Sequence, residues 1–561
     1  MKITCISTVS TASLSCAVQE VKEEFGLDLT FKMYYPRQID EEEVDEDRLK
    51  DDLKTSDIVL VDIRGSGRSV ETVYQALKNE KNVVLNLVGP FGKIMSISRL
   101  GSFSGKTLAS KIKPGDVKDP EEAWKRAERA QDLVEAAGKY LPVGPMKDAS
   151  NYIKITKYWR YGGQENYRNL LLLLLGEYLE CRLPKAQDPM EFPEYGLYHP
   201  SFGHFQDLEE YLDASQFSAQ RPTLGILFYG GMHFDQCQST LKALIDGLVD
   251  FNIVPMYSDG IHNLRSMRKF FFRDGRPMVD AIINLTWFRL NGGPLGGNHQ
   301  LTRELLKKLN VPVFTPAAMY GREVDKWMES PSGLSPIEAI TSVIWPELDG
   351  CIEPIPCCGV KSVRVGDMDA QEVVCIDDRL TRIVSRIQNW VALKRKPNKE
   401  KKVAVMIYSY PPGEGNLGGA SYLDVFNSVG RLLQRLKDVG YQTHLPEKKL
   451  HQLFEDMEIV NSGTWFCKEN TLNNCFSLNC HDYNRFFESL SSQMQNDMVS
   501  SWGPPPGTVM TVDDSFLIPG LQLGNVFVGI QPCRPPLGDE DLASATHDKT
   551  KPPHHLSLIH I

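Results

Sequence analysis

The feature that most constrains this chain is an alternation repeated three times along it: a β-rich run, a glycine-rich loop, then an amphipathic helical stretch. Strands that alternate with helices predict α/β layers on parallel sheets, because a parallel pair needs a crossover long enough to hold a helix. In the first copy, 2–7, 29–34, 58–62 and 82–87 read as strands, with helical patterns at 17–25 and 70–79 between them. A charged helical stretch follows at 120–140. The second copy begins after Gln220, with strands at 223–229, 253–257 and 281–285. The third starts at 403–408 and continues into a helix over 422–437, with Gly440 as its C-cap.

At 561 residues the chain exceeds what one hydrophobic core usually holds, so three or four domains are expected. The reading is an N-terminal α/β domain over 1–145 and a helical linker over 146–220. A second α/β domain over 221–395 follows, then an incomplete third α/β region over 400–555 and a non-native tail over 556–561. The expected fold class is α/β, with several Rossmann-like or flavodoxin-like parallel-sheet domains and a helical linker region.

Charge and cysteine usage narrow the function classes. The net charge is −10, and the one basic cluster, at 394–402, carries Pro397 and Asn398 and reads as a solvated linker. No nucleic-acid partner is expected. Twelve cysteines are scattered without regular pairs, which points to a reducing cytoplasm. Residues 1–18 mimic a signal peptide, but Thr and Ser interrupt their apolar positions, so export is rejected. The leucine run 170–175 is too short to span a bilayer.

Two loops imitate nucleotide signatures and fail. GSFSGKT, at 101–107, has three residues between its glycines where a P-loop has four. Gly413, Gly415 and Gly418 match G-x-G-x-x-G, but Pro411-Pro412 stiffens the turn and no acidic ribose partner stands about 20 residues on. The loop at 411–419 and NGGPLGGN (291–298) share a position after strands, where open α/β sheets bind ligands, whereas no clear strand runs into GSFSGKT. His199, His233, His262 and His299 lie in or beside the loops of the second region; a histidine at a strand's end can ligate a metal or take a proton. Cys357-Cys358 is a poor geometry for structural zinc, and Cys467, Cys475, Cys480 and His481 lack zinc-finger spacing.

The stretch YWRYGGQENYRNLLLLLL (158–175) sets an aromatic cluster and a Gly-Gly bend against a leucine run. If a helix starts near Gln164, Glu165 and Asn169 share a face, as do Asn166 and Asn169. The block resembles the YW-x-x-GG-x-EN-x-x-NL signature of the large subunit of cobaltochelatase and magnesium chelatase. PTLGILFYGGMHFDQ, SDGIH, INLTWFRLNGGPLGG, VPVFTPAAMYGRE, YSYPPGEGNLGGASYLDVF and IPGLQLGNVFVGIQP are similar to blocks of the same family. HDKTKPPHH (547–555) resembles its H-D…P-P-H-H segment, then runs into LSLIHI, so an N-terminal fragment is expected.

The resemblance implies an ATP-dependent metal chelatase that inserts Co2+ into a corrin precursor of the hydrogenobyrinic acid a,c-diamide type, in cobalamin biosynthesis. The alternatives are Mg2+ insertion into protoporphyrin IX and a non-catalytic tetrapyrrole-binding protein. ATP-Mg would be hydrolysed on AAA+ partner subunits. Tyr158, Trp159 and Tyr161 would flank the ring. Glu165, Asn166, Asn169 and Asn416 would bind its periphery, His199 and His233 would handle the metal, and His554 and His555 would serve catalysis.

Overall fold

A computed structural model describes residues 1–64, 67–88, 92–106, 125–126, 128–129, 131–133, 135–136, 144–291, 297–408, 417–419, 422–457, 475–507, 510–531 and 551–560. Most of the expected helix at 120–140 lies outside them, as do Asn416, Cys467 and most of the loops at 291–298 and 411–419. The chain forms two compact units, Met1–Val391 and Ala392–Ile561.

The first unit opens with a six-stranded sheet in the order β2-β1-β3-β4-β5-β6. Its strands are β1 (Lys2–Ser7), β2 (Thr30–Tyr34), β3 (Ile58–Asp62), β4 (Val83–Asn86), β5 (Arg99–Leu100) and β6 (Phe103–Ser104). The first four pair in parallel, with Ile3 opposite both Phe31 and Ile58. β3 reads IVLVD and is buried along its whole length, as a strand covered on both faces must be. The period of two splits its side chains between two cores: Ile58 and Leu60 join one, Val59 and Val61 the other.

The first of these cores holds helices α1 (Ala12–Phe25), α2 (Gly144–Tyr161) and α3 (Gln164–Tyr178). All six leucines of α3 are buried, so the helix is apolar around its circumference rather than along one stripe. Each contributes about 1.5–3 kcal/mol. α1 ends on Gly26 in the left-handed region, whose N–H caps the carbonyl of Lys22.

A second six-stranded sheet has the order β14-β13-β9-β10-β7-β8. It comprises β7 (Tyr195–His199), β8 (Gly203–Phe205), β9 (Thr223–Tyr229), β10 (Asn252–Ser258), β13 (Ala281–Asn284) and β14 (Val313–Phe314). β11 (Phe272–Arg273) and β12 (Arg276–Pro277) form a small separate hairpin. β14, β13, β9 and β10 run parallel, whereas β7 and β8 are an antiparallel edge. Helix α4 (Phe234–Gly247) packs Cys237, Leu241 and Leu244 on one face. β15 (Ala317–Glu323), β16 (Pro356–Val365) and β17 (Met368–Cys375) form a three-stranded sheet, the last among the described residues of this unit.

In the second unit, β18 (Val403–Ile407) pairs in parallel with β22 (Val526–Ile530). The remaining pairs, among β19 (Cys475–Asn479), β20 (Thr511–Val512), β21 (Ser515–Leu523) and β22, are antiparallel. Helix Val425–Asp438 buries Val429 and Leu433 against this sheet, and a second core gathers Tyr483, Phe487, Met498, Phe516 and Leu556. Among the described residues no helix is long and apolar enough to cross a membrane.

Candidate functional site

The two six-stranded sheets each have a point where consecutive crossovers leave in opposite directions. In the first it lies between β1 and β3, and in the second between β9 and β13. Loops at such points diverge and leave a crevice at the carboxyl ends of the strands, the usual ligand position of open α/β sheets. Here the two sets of loops touch each other. Arg64, just past β3, places Nη1 2.6 Å from His233 Nε2 and Nη2 3.1 Å from Met232 Sδ, both just past β9. Ser13 Oγ, in the first turn of α1, donates to Asp235 Oδ2, in the first turn of α4, at 2.5 Å.

A guanidinium can only donate, so His233 Nε2 holds a lone pair and Nδ1–H donates to Gln236 Oε1 at 2.6 Å. Burial first, and then the Arg64 charge, hold the His233 imidazole well below the usual histidine range. Arg64 is itself pinned from its other edge. Its Nε and Nη2 donate to the fully buried Asp62 at 3.2 and 3.4 Å, and the Trp159 indole N–H donates to the same carboxylate at 2.8 Å. The Tyr229 ring lies 5.1 Å from that of His233. Beyond β10, His262 Nδ1 sits 2.9 Å from Asp259 Oδ2, and Asp259 Oδ1 accepts from the backbone N–H groups of Ile261 and His262.

The 158–169 block holds this seam together. Gly162 (φ +64°) packs so tightly that a Cβ there would lie 2.6 Å from Met232 Cα. Gly231 (φ +61°) answers from the other side, where a Cβ would lie 2.6 Å from the Arg160 carbonyl oxygen. Two Gly-Gly turns therefore interlock, and each needs both glycine's freedom at positive φ and its missing side chain.

The asparagines bind backbone. Asn166 Nδ2 donates to the carbonyls of Gly162 (2.9 Å) and Met190 (3.0 Å), and its Oδ1 accepts from Met190 N–H at 2.9 Å. Asn169 Oδ1 accepts from Gln187 N–H at 2.8 Å, and its Nδ2 donates to Glu165 Oε1 at 2.9 Å. The Tyr158 hydroxyl donates to the Gln187 carbonyl. Together they clamp the extended segment after α3 onto the helix pair. Tyr158 and Trp159 are each 1% exposed, whereas Tyr161 is half-buried with the Arg160 guanidinium 4.9 Å over its ring.

The remaining sequence candidates are dispersed. His199 ends β7, stacks on Phe202 at 4.5 Å and accepts from Ser201 N–H at 3.1 Å; burial lowers its pKa. His554 and His555 are buried in the second unit. His555 Nε2 lies 2.9 Å from the Gly503 carbonyl oxygen, which only accepts, so Nε2 carries the proton and Nδ1 accepts from the Tyr483 hydroxyl at 2.9 Å. Burial lowers its pKa. Among the described residues no group of three His, Cys, Asp or Glu side chains is placed to hold a metal ion.

The first two residues of the P-loop lookalike, Gly101 and Ser102, form the hairpin turn between β5 and β6. Asp148 accepts from both Ser102 N–H and Oγ at 2.6 Å, so a carboxylate fills the place of a phosphate. Cys357 and Cys358 are buried with their sulfurs 3.7 Å apart. Sequence reasoning missed Asp62, Arg64 and Trp287, a buried residue at φ +49° just past β13. The strand-end rule that singled out His233 applies equally to the first two in VDIRGSG (61–67).

A family model described as CobN/Magnesium Chelatase matches residues 156–558, well over half of the chain. The chloroplastic magnesium-chelatase subunit ChlH of Oryza sativa subsp. indica is 29% identical over 487 residues, 82% of this chain and 34% of that protein. The aerobic cobaltochelatase subunit CobN of Pseudomonas aeruginosa is 27% identical over 456 residues, 76% of this chain and 34% of that protein. The solved catalytic subunit of cobaltochelatase from Mycobacterium tuberculosis matches at a TM-score of 0.53 and 18% identity, over 100% of this chain and 41% of that one, which shows a shared fold. The chain spans about a third of the length of these curated relatives. By this match the chain belongs to the CobN/magnesium chelatase family of large chelatase subunits.

Proposed function

We propose that this chain supplies the tetrapyrrole-binding cleft of a large chelatase subunit, one that inserts Co2+ into a corrin precursor of the hydrogenobyrinic acid a,c-diamide type during cobalamin biosynthesis. The observation that carries the reading is the Arg64–His233 contact, which brings two strand-end crevices to one seam in a chain of this family. Insertion strips water from a divalent cation and removes two protons from ring nitrogens, so it needs a neutral base and a sheltered cleft. His233 is held neutral at that seam with its proton affinity lowered by burial and Arg64, so it fits the metal rather than the protons, and imidazole suits cobalt in transit. Of the three aromatics in the block, Tyr161 is half-buried and able to flank a ring as the molecule stands, whereas Tyr158 and Trp159 are buried. Glu165, Asn166 and Asn169 shape the wall, and Asn416 belongs to the same reading. His199 is a second imidazole for the metal. His554 and His555 reach substrate only by leaving their present partners.

In this reading ATP-Mg is hydrolysed on AAA+ partner subunits, and the location is cytoplasmic. The ten described cysteines are all free thiols, which supports a reducing compartment. Mg2+ insertion into protoporphyrin IX is the second reading, favoured by the wider coverage of the chain by the rice magnesium-chelatase subunit. The test is a binding titration of the purified chain against hydrogenobyrinic acid a,c-diamide and protoporphyrin IX, followed by absorbance. Tighter binding of the corrin precursor supports cobalt, tighter porphyrin binding moves the assignment to magnesium, and binding of neither removes the ring-binding role.

A further inference from the structure

We propose that Arg64 recognises a peripheral carboxylate of the tetrapyrrole, and that it does so by exchanging its bond to His233 for one to the ligand. The inference rests on the tetrapyrrole-binding reading above and names the residue that reads the ring's acidic periphery.

The guanidinium of Arg64 is gripped along one edge. Asp62 is fully buried and grips one edge of it through Nε and Nη2, while Trp159 fixes Asp62 in turn. The Nη1 edge, reaching across the seam, is therefore oriented before any ligand arrives, which lowers the entropic cost of binding. The side chain remains 34% exposed, so solvent and solutes reach it. The far edge of the fork, Nη1 on His233 Nε2 and Nη2 on Met232 Sδ (3.1 Å), meets two neutral acceptors, and a carboxylate that takes two parallel N–H bonds suits it better than either.

His233 is the weaker of the two partners. It offers Arg64 one neutral lone pair, 2.6 Å away. A carboxylate offers charge-assisted bonds, roughly twice as strong as neutral ones. A ring acid arriving at the seam would displace the imidazole, and the His233 Nε2 lone pair would then face the ligand's side of the contact. Recognition of the periphery and uncovering of an imidazole lone pair thus become one event. The competing account makes Arg64 a strap between the two sheets, with no preference among ligands.

Deuteroporphyrin IX and its dimethyl ester separate the two accounts, because they differ only in whether the periphery carries anions. The full chain, R64M and R64K are titrated with each compound, and quenching of tryptophan emission gives Kd. The wild-type chain should favour the acid by about ten- to a hundred-fold, the range of a hydrogen bond to a charged group. R64M should bind the ester as the wild type does and the acid no better than the ester. R64K, which keeps the charge without the fork, should retain part of the preference. Equal weakening of both compounds in R64M and R64K would make Arg64 a strap, and an unchanged preference in R64M would place the carboxylate elsewhere; either result overturns the proposal alone. Binding of neither compound by the wild type, with no binding of hydrogenobyrinic acid a,c-diamide either, overturns the ring-binding reading, and the role of Arg64 with it.

Discussion

His233 and His555 are both neutral imidazoles with each ring nitrogen engaged, yet they are held in opposite tautomers by partners of different kinds. His555 is buried in the second unit between the hydroxyl of the buried Tyr483 and the main-chain carbonyl of Gly503. His233 lies on a loop at a strand's end, and its Nε2 partner is an arginine side chain with a third of its surface in water. The same local chemistry is held by buried groups in one place and by a partly solvated side chain in the other. What distinguishes them is the freedom of the neighbour, which neither the histidine nor its pKa reveals.

The sharpest way to break the contrast is to push the His233 loop away. Gly231→Ala places a Cβ 2.6 Å from the Arg160 carbonyl at φ +61°. The left-handed conformation alone costs about 1–2 kcal/mol and the clash adds to it, so a total of about 3 kcal/mol or more is expected in urea unfolding. Hydrogen exchange should rise over 228–236 and not over 475–507. Next, Trp159→Phe keeps most of the volume and removes the N–H that holds Asp62. A buried carboxylate missing one donor should cost about 1–3 kcal/mol. On the other side, Tyr483→Phe leaves His555 Nδ1 buried without its donor, for about 1–2 kcal/mol, read as faster exchange over 475–507.

The smallest effect is set by pH. Burial lowers the His555 pKa, so the unfolded chain binds a proton more readily than the folded one. That contribution is fully present above the ordinary histidine pKa of about 6.5 and is lost as pH falls below it towards the folded value. The slope is at most about 1.4 kcal/mol per pH unit for this one group. His555→Gln should flatten the fall in stability between pH 6.5 and 5, as followed by exchange in the second unit. A slope unchanged by the substitution would show that other groups set the acid lability.

Much of the scaffold was legible in the sequence. The runs at 58–62 and 223–229 are marked by their content of apolar β-formers (IVLVD and TLGILFY), and a helix start near Gln164 by a Gly-Gly bend. The block at 158–169 was legible as a family signature, while its physical work was not. Trp159 meets Asp62 across 97 positions and Arg64 meets His233 across 169, and spacing along a chain says nothing about such partners. His233 was singled out because a histidine after a strand stands out; Arg64 obeyed the same rule without standing out. In the sequence the indole and both asparagine side chains look like ligand contacts. In the fold they face the protein's own backbone and carboxylates.

That last arrangement has an evolutionary consequence. Asn166 and Asn169 hold the segment after α3 through the main-chain atoms of Met190 and Gln187, never through their side chains. A saturation library should therefore find positions 187 and 190 permissive to nearly every residue except proline, which lacks the N–H that each asparagine oxygen accepts. Positions 166 and 169 should tolerate almost nothing. The lock is written in two letters, and the key has no spelling at all.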